Sequence, residues 1–113
     1  MGQTLPHIGV GPAFFMEIIL TFFLMFVIIH VATGAKEVGL MAGVAIGGTV
    51  AVAATFAGPL TGASMNPARS LAPALFSGEL QHLWLYLTAP FIGSILAILT
   101  CRMMRDNCCA GDC

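Results

Sequence analysis

Charge is what this chain has least of. Only 8% of its 113 residues are charged, four Lys or Arg and five Asp or Glu, for a net charge of −1. A soluble domain carries about 25% charged residues. This chain cannot cover its own surface with polar groups, which excludes an ordinary soluble fold as the default. So few Lys and Arg leave no basic patch for nucleic acid, and no acidic run suggests a solvating tail. Nucleophile–base pairs and phosphate loops are missing too, so nothing supports catalysis and no cofactor is implied. The opening residues MGQTLPHIGV lack the basic stretch of a secretory signal. Pro6 stands where N-myristoylation wants Ser or Thr.

Apolar residues fill the space that charge vacates, at 58% of the chain. A membrane-spanning helix needs about 20 of them in a row. Three segments qualify, at about 12–31, 38–57 and 82–103, with ATGAKE (32–37) joining the first two and SGELQ (77–81) breaking the chain before the third. Trp84 and Tyr86 open the third span as an interfacial aromatic belt would. Gly39, Gly43 and Gly47, continued by Ala51, form successive small-xxx-small steps on the second span, and Ala89, Gly93 and Ala97 do so on the third. Small residues at that spacing let helix backbones approach closely in lipid, which favours packing within one bundle over a separate dimer interface. His7, His30 and His82 are isolated and read as interfacial or packing residues. Met16, Met25 and Met41 read as core filler.

Between the second and third spans lies something shorter. GPLTGASM, residues 58–65, is rich in breakers and reads as loop. Asn66 suits a helix N-cap, Pro67 the first helical position and Gly78 the stop. The resulting helix of about ten residues is about 15 Å long. That is too short to cross, so it reads as re-entrant. Pro73 inside it removes a backbone donor and is expected to bend it. Lys36, Arg102 and Arg105 fall on one side if the three spans alternate. The positive-inside rule then places that side in the cytosol and the N-terminus outside.

Arg69 is the only charge between Glu37 and Glu79. Irregular backbone at membrane depth survives only where protein covers it or water fills a cavity beside it. A half-helix entering from outside aims its free N–H groups and its dipole at the midplane, making a positive spot. Asn66 adds an amide donor, and Arg69, one turn on, adds five fixed donors and a permanent charge. Neutral solutes with hydroxyl oxygens can accept from both, while cations meet an uncompensated positive field. The bland alternative is an Arg69 that snorkels to the outer interface.

The stretch TGASMNPARSLAPALF resembles the second pore loop of the aquaporin, or major intrinsic protein, family. EIILTFFLMFVIIHVATGAKEVG is similar to the fourth helix of the plant nodulin-type members and their prokaryotic relatives, GVAIGGTVAVAATFAGPLTG to the fifth and HLWLYLTAPFIGSILA to the sixth. The resemblance covers about residues 10–103. It implies that Asn66, Pro67 and Ala68 are the second NPA box at the pore centre, and that Arg69 belongs to the selectivity constriction. Such channels use an Arg or half-helix dipoles to exclude protons and cations. Ala54 would stand where water-selective members carry histidine, and Ala63 at the other small constriction position. Alanine at both implies a wider aquaglyceroporin-like pore for glycerol, urea or uncharged metalloid acids. The fourth constriction residue would lie in a helix absent from this chain.

Glu17 lies about 10 Å into the first span, and an intramembrane acid must be paired or hydrogen-bonded. The resemblance implies that it braces the pore loop, with Thr21 one turn on along the same face. The expected fold is therefore an all-α membrane domain over 1–103, three transmembrane helices plus one re-entrant half-helix over 58–77. This is one inverted repeat of the family fold, followed by a cysteine-rich cytosolic tail over 104–113. Such a half cannot close a pore alone. The expected partners are lipid and either a complementary N-terminal half-channel or an inverted copy of the chain. The resemblance implies a tetramer of pores. Two other functions stand beside the channel. One is a proton-coupled exporter of the small multidrug-resistance type using Glu17. The other is a non-conducting fragment that regulates full-length channels. Cys101, Cys108, Cys109 and Cys113 are expected to be thiols in a reducing cytosol. Their spacing fits no zinc pattern and no metal site is assigned. Cys108, Cys109 and Cys113 could still gather a soft ion or a trivalent arsenical.

Overall fold

The computed structural model describes residues 8–32, 39–78 and 80–104. Four helices follow one another there: α1 (Val10–Ala32), α2 (Ala42–Thr61), α3 (Pro67–Ser77) and α4 (Leu83–Met104). With 23, 20 and 22 residues, α1, α2 and α4 are long and apolar enough to cross a bilayer. With 11 residues α3 reaches only about 16 Å. The described chain is thus an all-α membrane fold of three spans and one half-helix.

The half-helix has the boundaries its caps predict, Asn66 before it and Gly78 after it in the left-handed region at φ 79. The second span does not end where expected. Helix α2 continues through Gly58 and Pro59 to Thr61, so the segment 58–61 is helix rather than loop. A proline is tolerated in a membrane helix where neighbouring groups satisfy the freed backbone. The stop signal is Gly62. It adopts φ 86, and its N–H donates to the Gly58 carbonyl at 2.9 Å, closing the helix as a left-handed cap.

Helix α1 runs along α4 and, less extensively, along α2, while α3 packs on α4. Ala13, Ala89, Ala97 and Leu85 are fully buried at the α1–α4 seam. Its tightest point is Gly93. A Cβ there would lie 2.5 Å from the Ile18 carbonyl oxygen, 2.9 Å from the Thr21 Cβ and 3.0 Å from the Phe22 nitrogen. Two of those three atoms are backbone and cannot swing aside. Gly93→Ala is therefore expected to destabilise the helix pair by about 1–3 kcal/mol, the usual range for overpacking. Denaturant titration in mixed micelles would measure it. Gly43→Ala is the control, because a Cβ at Gly39, Gly43 or Gly47 meets nothing within 4 Å. Those three glycines face away from the rest of the described chain, and whatever covers them lies outside it.

A second cluster joins Leu20 of α1, Ala53 and Ala57 of α2, and Ala63 and Met65 of the loop after α2. Elsewhere large apolar side chains point outward, among them Phe15, Phe23, Phe56, Phe76 and Phe91. A helix that is apolar all round suits lipid or further helices. Cys101, 1% exposed near the end of α4, is disulfide-bonded, which corrects the expectation of a thiol. Cys108, Cys109 and Cys113, and with them the soft-ion reading, lie outside the described residues, as do Lys36 and Arg105.

Candidate functional site

The site is built where α2 ends and α3 begins. The chain turns through residues 62–66 with left-handed backbone at Gly62, Ala63 (φ 45) and Met65 (φ 54). A non-glycine residue in that region costs about 1–3 kcal/mol and persists only where its surroundings over-determine it. Here they do. Glu17 of α1 is fully buried, and its carboxylate accepts three hydrogen bonds. The Thr61 hydroxyl and the Ser64 N–H both donate to Oε1 at 2.9 Å, and the Met65 N–H donates to Oε2 at 3.0 Å. Hydrogen bonds to a charged group contribute about 1.5–3 kcal/mol each, more than neutral ones. They tie residues 61–65 to α1 seven residues, or about 10 Å, beyond the start of that helix.

Further bonds close the loop on itself. The Ala63 N–H donates to the Thr61 hydroxyl oxygen at 3.2 Å. The Tyr86 hydroxyl of α4 donates to the Thr61 carbonyl. Ser64 donates to the Asn66 carbonyl at 2.8 Å, and its hydroxyl pairs with that of Ser70 one turn into α3. Sequence reasoning missed Thr61, Ser64, Ser70 and Tyr86. Only Tyr86 carried a signal: a phenol in a membrane span needs a partner for its hydroxyl, and it was read as an interfacial belt instead. Thr21, grouped with Glu17 by helical spacing, does not reach the loop. Its hydroxyl is buried with no hydrogen-bond partner among the described residues, and its Cβ lies against Gly93.

Asn66, Pro67 and Ala68 form the first turn of α3. The Asn66 backbone is extended (φ −151, ψ 122), and its Oδ1 accepts from the Ala68 N–H at 2.9 Å. With Oδ1 used in the cap, the side-chain amide nitrogen is left as a donor on an exposed residue. Arg69 folds back over the loop, and its Nη1 donates to the carbonyls of Gly62 (3.1 Å) and Ala63. Among the described residues its partners are carbonyl oxygens rather than a carboxylate. The guanidinium nevertheless remains exposed.

Both polar groups open on a groove of about 320 Å³. Leu24 of α1 with Val50 and Ala54 of α2 make one wall, while Ala63, Asn66 and Arg69 make the other. The groove is thus lined by apolar side chains of α1 and α2 together with the loop residues Asn66 and Arg69. A larger groove of about 580 Å³ between α1 and α2 is lined by residues such as Met16, Phe23 and Phe56 and brings no charged group. Among the described residues no three His, Cys, Asp or Glu stand together as metal ligands would.

The sequence of this fold and site is similar to known membrane proteins. The profile of the Major intrinsic protein family matches residues 1–101. Nodulin-26 of Glycine max is 52% identical over 93 residues, covering 82% of this chain and 34% of the relative. Aquaporin NIP1-4 of Oryza sativa subsp. japonica is 50% identical over 102 residues, 90% of this chain and 37% of the relative. Aquaporin NIP6-1 of Arabidopsis thaliana is 43% identical over 104 residues, 92% of this chain and 34% of the relative. The chain therefore spans about a third of the length of these relatives. Three membrane-length helices, a capped half-helix and a family match over nearly the whole chain lead to one conclusion: this chain belongs to the major intrinsic protein family.

Proposed function

We propose that this chain supplies one half of a passive membrane channel for water and small neutral solutes, completed by a second half. The observation that carries the proposal is the Arg69–Asn66 pair, a clamped cation and an amide donor exposed on one wall of an otherwise apolar groove. An exposed guanidinium cannot face hydrocarbon, so intramembrane charge of this kind borders water or another chain. Solutes that accept hydrogen bonds gain partners on that wall, and cations are repelled by it. Alanine at 54 and at 63 leaves room for glycerol, urea or an uncharged metalloid acid. The facing wall comes from a complementary N-terminal half or from an inverted copy. By family analogy the pores assemble in fours, and the Lys/Arg bias favours the N-terminus outside and the C-terminal end in the cytosol.

Glu17 argues against the exporter. A proton-coupling carboxylate must meet the lumen, whereas this one is fully buried with three donors upon it.

The test is osmotic swelling of liposomes holding the assembled complex. Glycerol or urea should enter without any proton gradient, and flux that needs a gradient would sink the channel. Relative orientation and stoichiometry of chains in the purified complex decide between the two kinds of second half. Ala54→His adds bulk and a polar wall to the groove. It should lower glycerol flux about tenfold while sparing water, since a hydrogen-bonding site discriminates by factors of that order and above.

A further inference from the structure

Two buried hydroxyls sit behind the groove wall without lining it. Thr61 is fully buried and Tyr86 is 1% exposed, so neither touches a passing solute. Yet their bonds converge on the backbone that clamps Arg69. The Tyr86 hydroxyl donates to the Thr61 carbonyl. The Thr61 hydroxyl donates to Glu17 Oε1 and accepts from the Ala63 N–H. The Ala63 carbonyl then accepts from Arg69 Nη1. From α4 to the guanidinium the path runs through three hydrogen bonds joined by the residues Thr61 and Ala63.

We propose that Tyr86 and Thr61 are positioning residues for the selectivity arginine: through the backbone conformation of Ala63 they set where the Arg69 guanidinium stands in the groove. The inference rests on the channel reading above. The local geometry explains why such support is needed. Ala63 is held at φ 45, a conformation alanine leaves readily if its amide loses an acceptor. Its carbonyl would turn with it, and Arg69 would lose one of its two carbonyl partners. Glu17 does not bond Ala63 directly: its three donors are Thr61, Ser64 and Met65. Thr61 is therefore the only described link from the carboxylate to the Ala63 amide.

The experiment compares the assembled channel in liposomes with Tyr86→Phe, Thr61→Val and Thr61→Ser, using Arg69→Ala as reference. Phenylalanine keeps the buried ring, valine keeps the shape of threonine, and serine restores the hydroxyl. The readout is a ratio, erythritol to urea permeability, because lost assembly lowers both fluxes and leaves their ratio unmoved. Tyr86→Phe and Thr61→Val should each raise the ratio about fivefold, the factor that corresponds to one net hydrogen bond. Thr61→Ser should return it to the wild-type value. If Arg69→Ala changes selectivity while Tyr86→Phe and Thr61→Val leave the ratio at the wild-type value, the positioning role is overturned and the channel stands. If the ratio rises in Thr61→Val but stays raised in Thr61→Ser, the hydroxyl is not the positioning group and the proposal fails. If the wild-type assembly passes neither solute, the channel reading falls and takes this inference with it.

Discussion

Glu17→Leu should leave no correctly formed pore loop. Leucine fills the space but accepts nothing, so the Thr61 hydroxyl and the Ser64 and Met65 amides lose their acceptor together. An unsatisfied buried donor costs about 1–3 kcal/mol, and at membrane depth little water replaces what was lost. Three such losses approach the whole stability of a typical domain, about 5–15 kcal/mol. The left-handed Met65 would then lose the acceptor of its amide and Thr61 its tie to α1, and the turn should open. Hydrogen exchange of the Ser64 and Met65 amides should accelerate by orders of magnitude, and the yield of assembled complex should collapse. Glu17→Gln separates the competing functions. It keeps one carbonyl oxygen but sets an NH2 against a donor, so the complex should be weakened, and any flux it retains should stay independent of a proton gradient. An exporter would show the reverse, a stable chain whose gradient-driven transport is gone.

In the proposed channel, Arg69→Ala should turn a path for neutral solutes into one that leaks cations. A unit charge at 4 Å contributes about 4 kcal/mol at an effective dielectric of 20. Its removal should raise proton and potassium permeability by up to about a thousandfold at that separation. Neutral-solute flux should change far less, because only donors are lost to those molecules. Arg69→Lys divides the two roles of the side chain. Lysine keeps the charge, so cation exclusion should largely survive. It lacks the planar fork, so the hold on the Gly62 and Ala63 carbonyls should loosen and the discrimination of solute size should degrade. Ion-flux dyes and osmotic swelling on the same vesicles read both properties.

Much of this was legible in the residues. Asn66, Pro67 and Gly78 carry local capping chemistry, so the half-helix could be bounded from its own sequence. Glu17 announced itself because an acid inside an apolar span demands partners. What escaped depends on how helices cross. Thr21 and Glu17 share a face by helical spacing, but α4 approaches so closely at Gly93 that Thr21 is committed to that seam. Thr61 was assigned to a loop because Gly58 and Pro59 look like a stop, whereas α2 ends only at Gly62. Tyr86 looked interfacial by its place in the span, and only the fold brings its hydroxyl to the Thr61 carbonyl. Long-range partners of ordinary hydroxyls leave no periodicity to find.

The backbone at Ala63 limits how the width of the proposed pore can be retuned. At φ 45 it tolerates glycine or a small unbranched side chain, while valine, isoleucine or threonine would be severe outliers. Ala54 sits on regular helix and carries no such restriction. Mutation can therefore broaden or narrow the aperture from the α2 side, whereas from the loop side it turns mainly in one direction, toward glycine and a wider bore. Variants selected for larger permeants have two routes open to them, and variants selected for smaller ones are channelled to position 54.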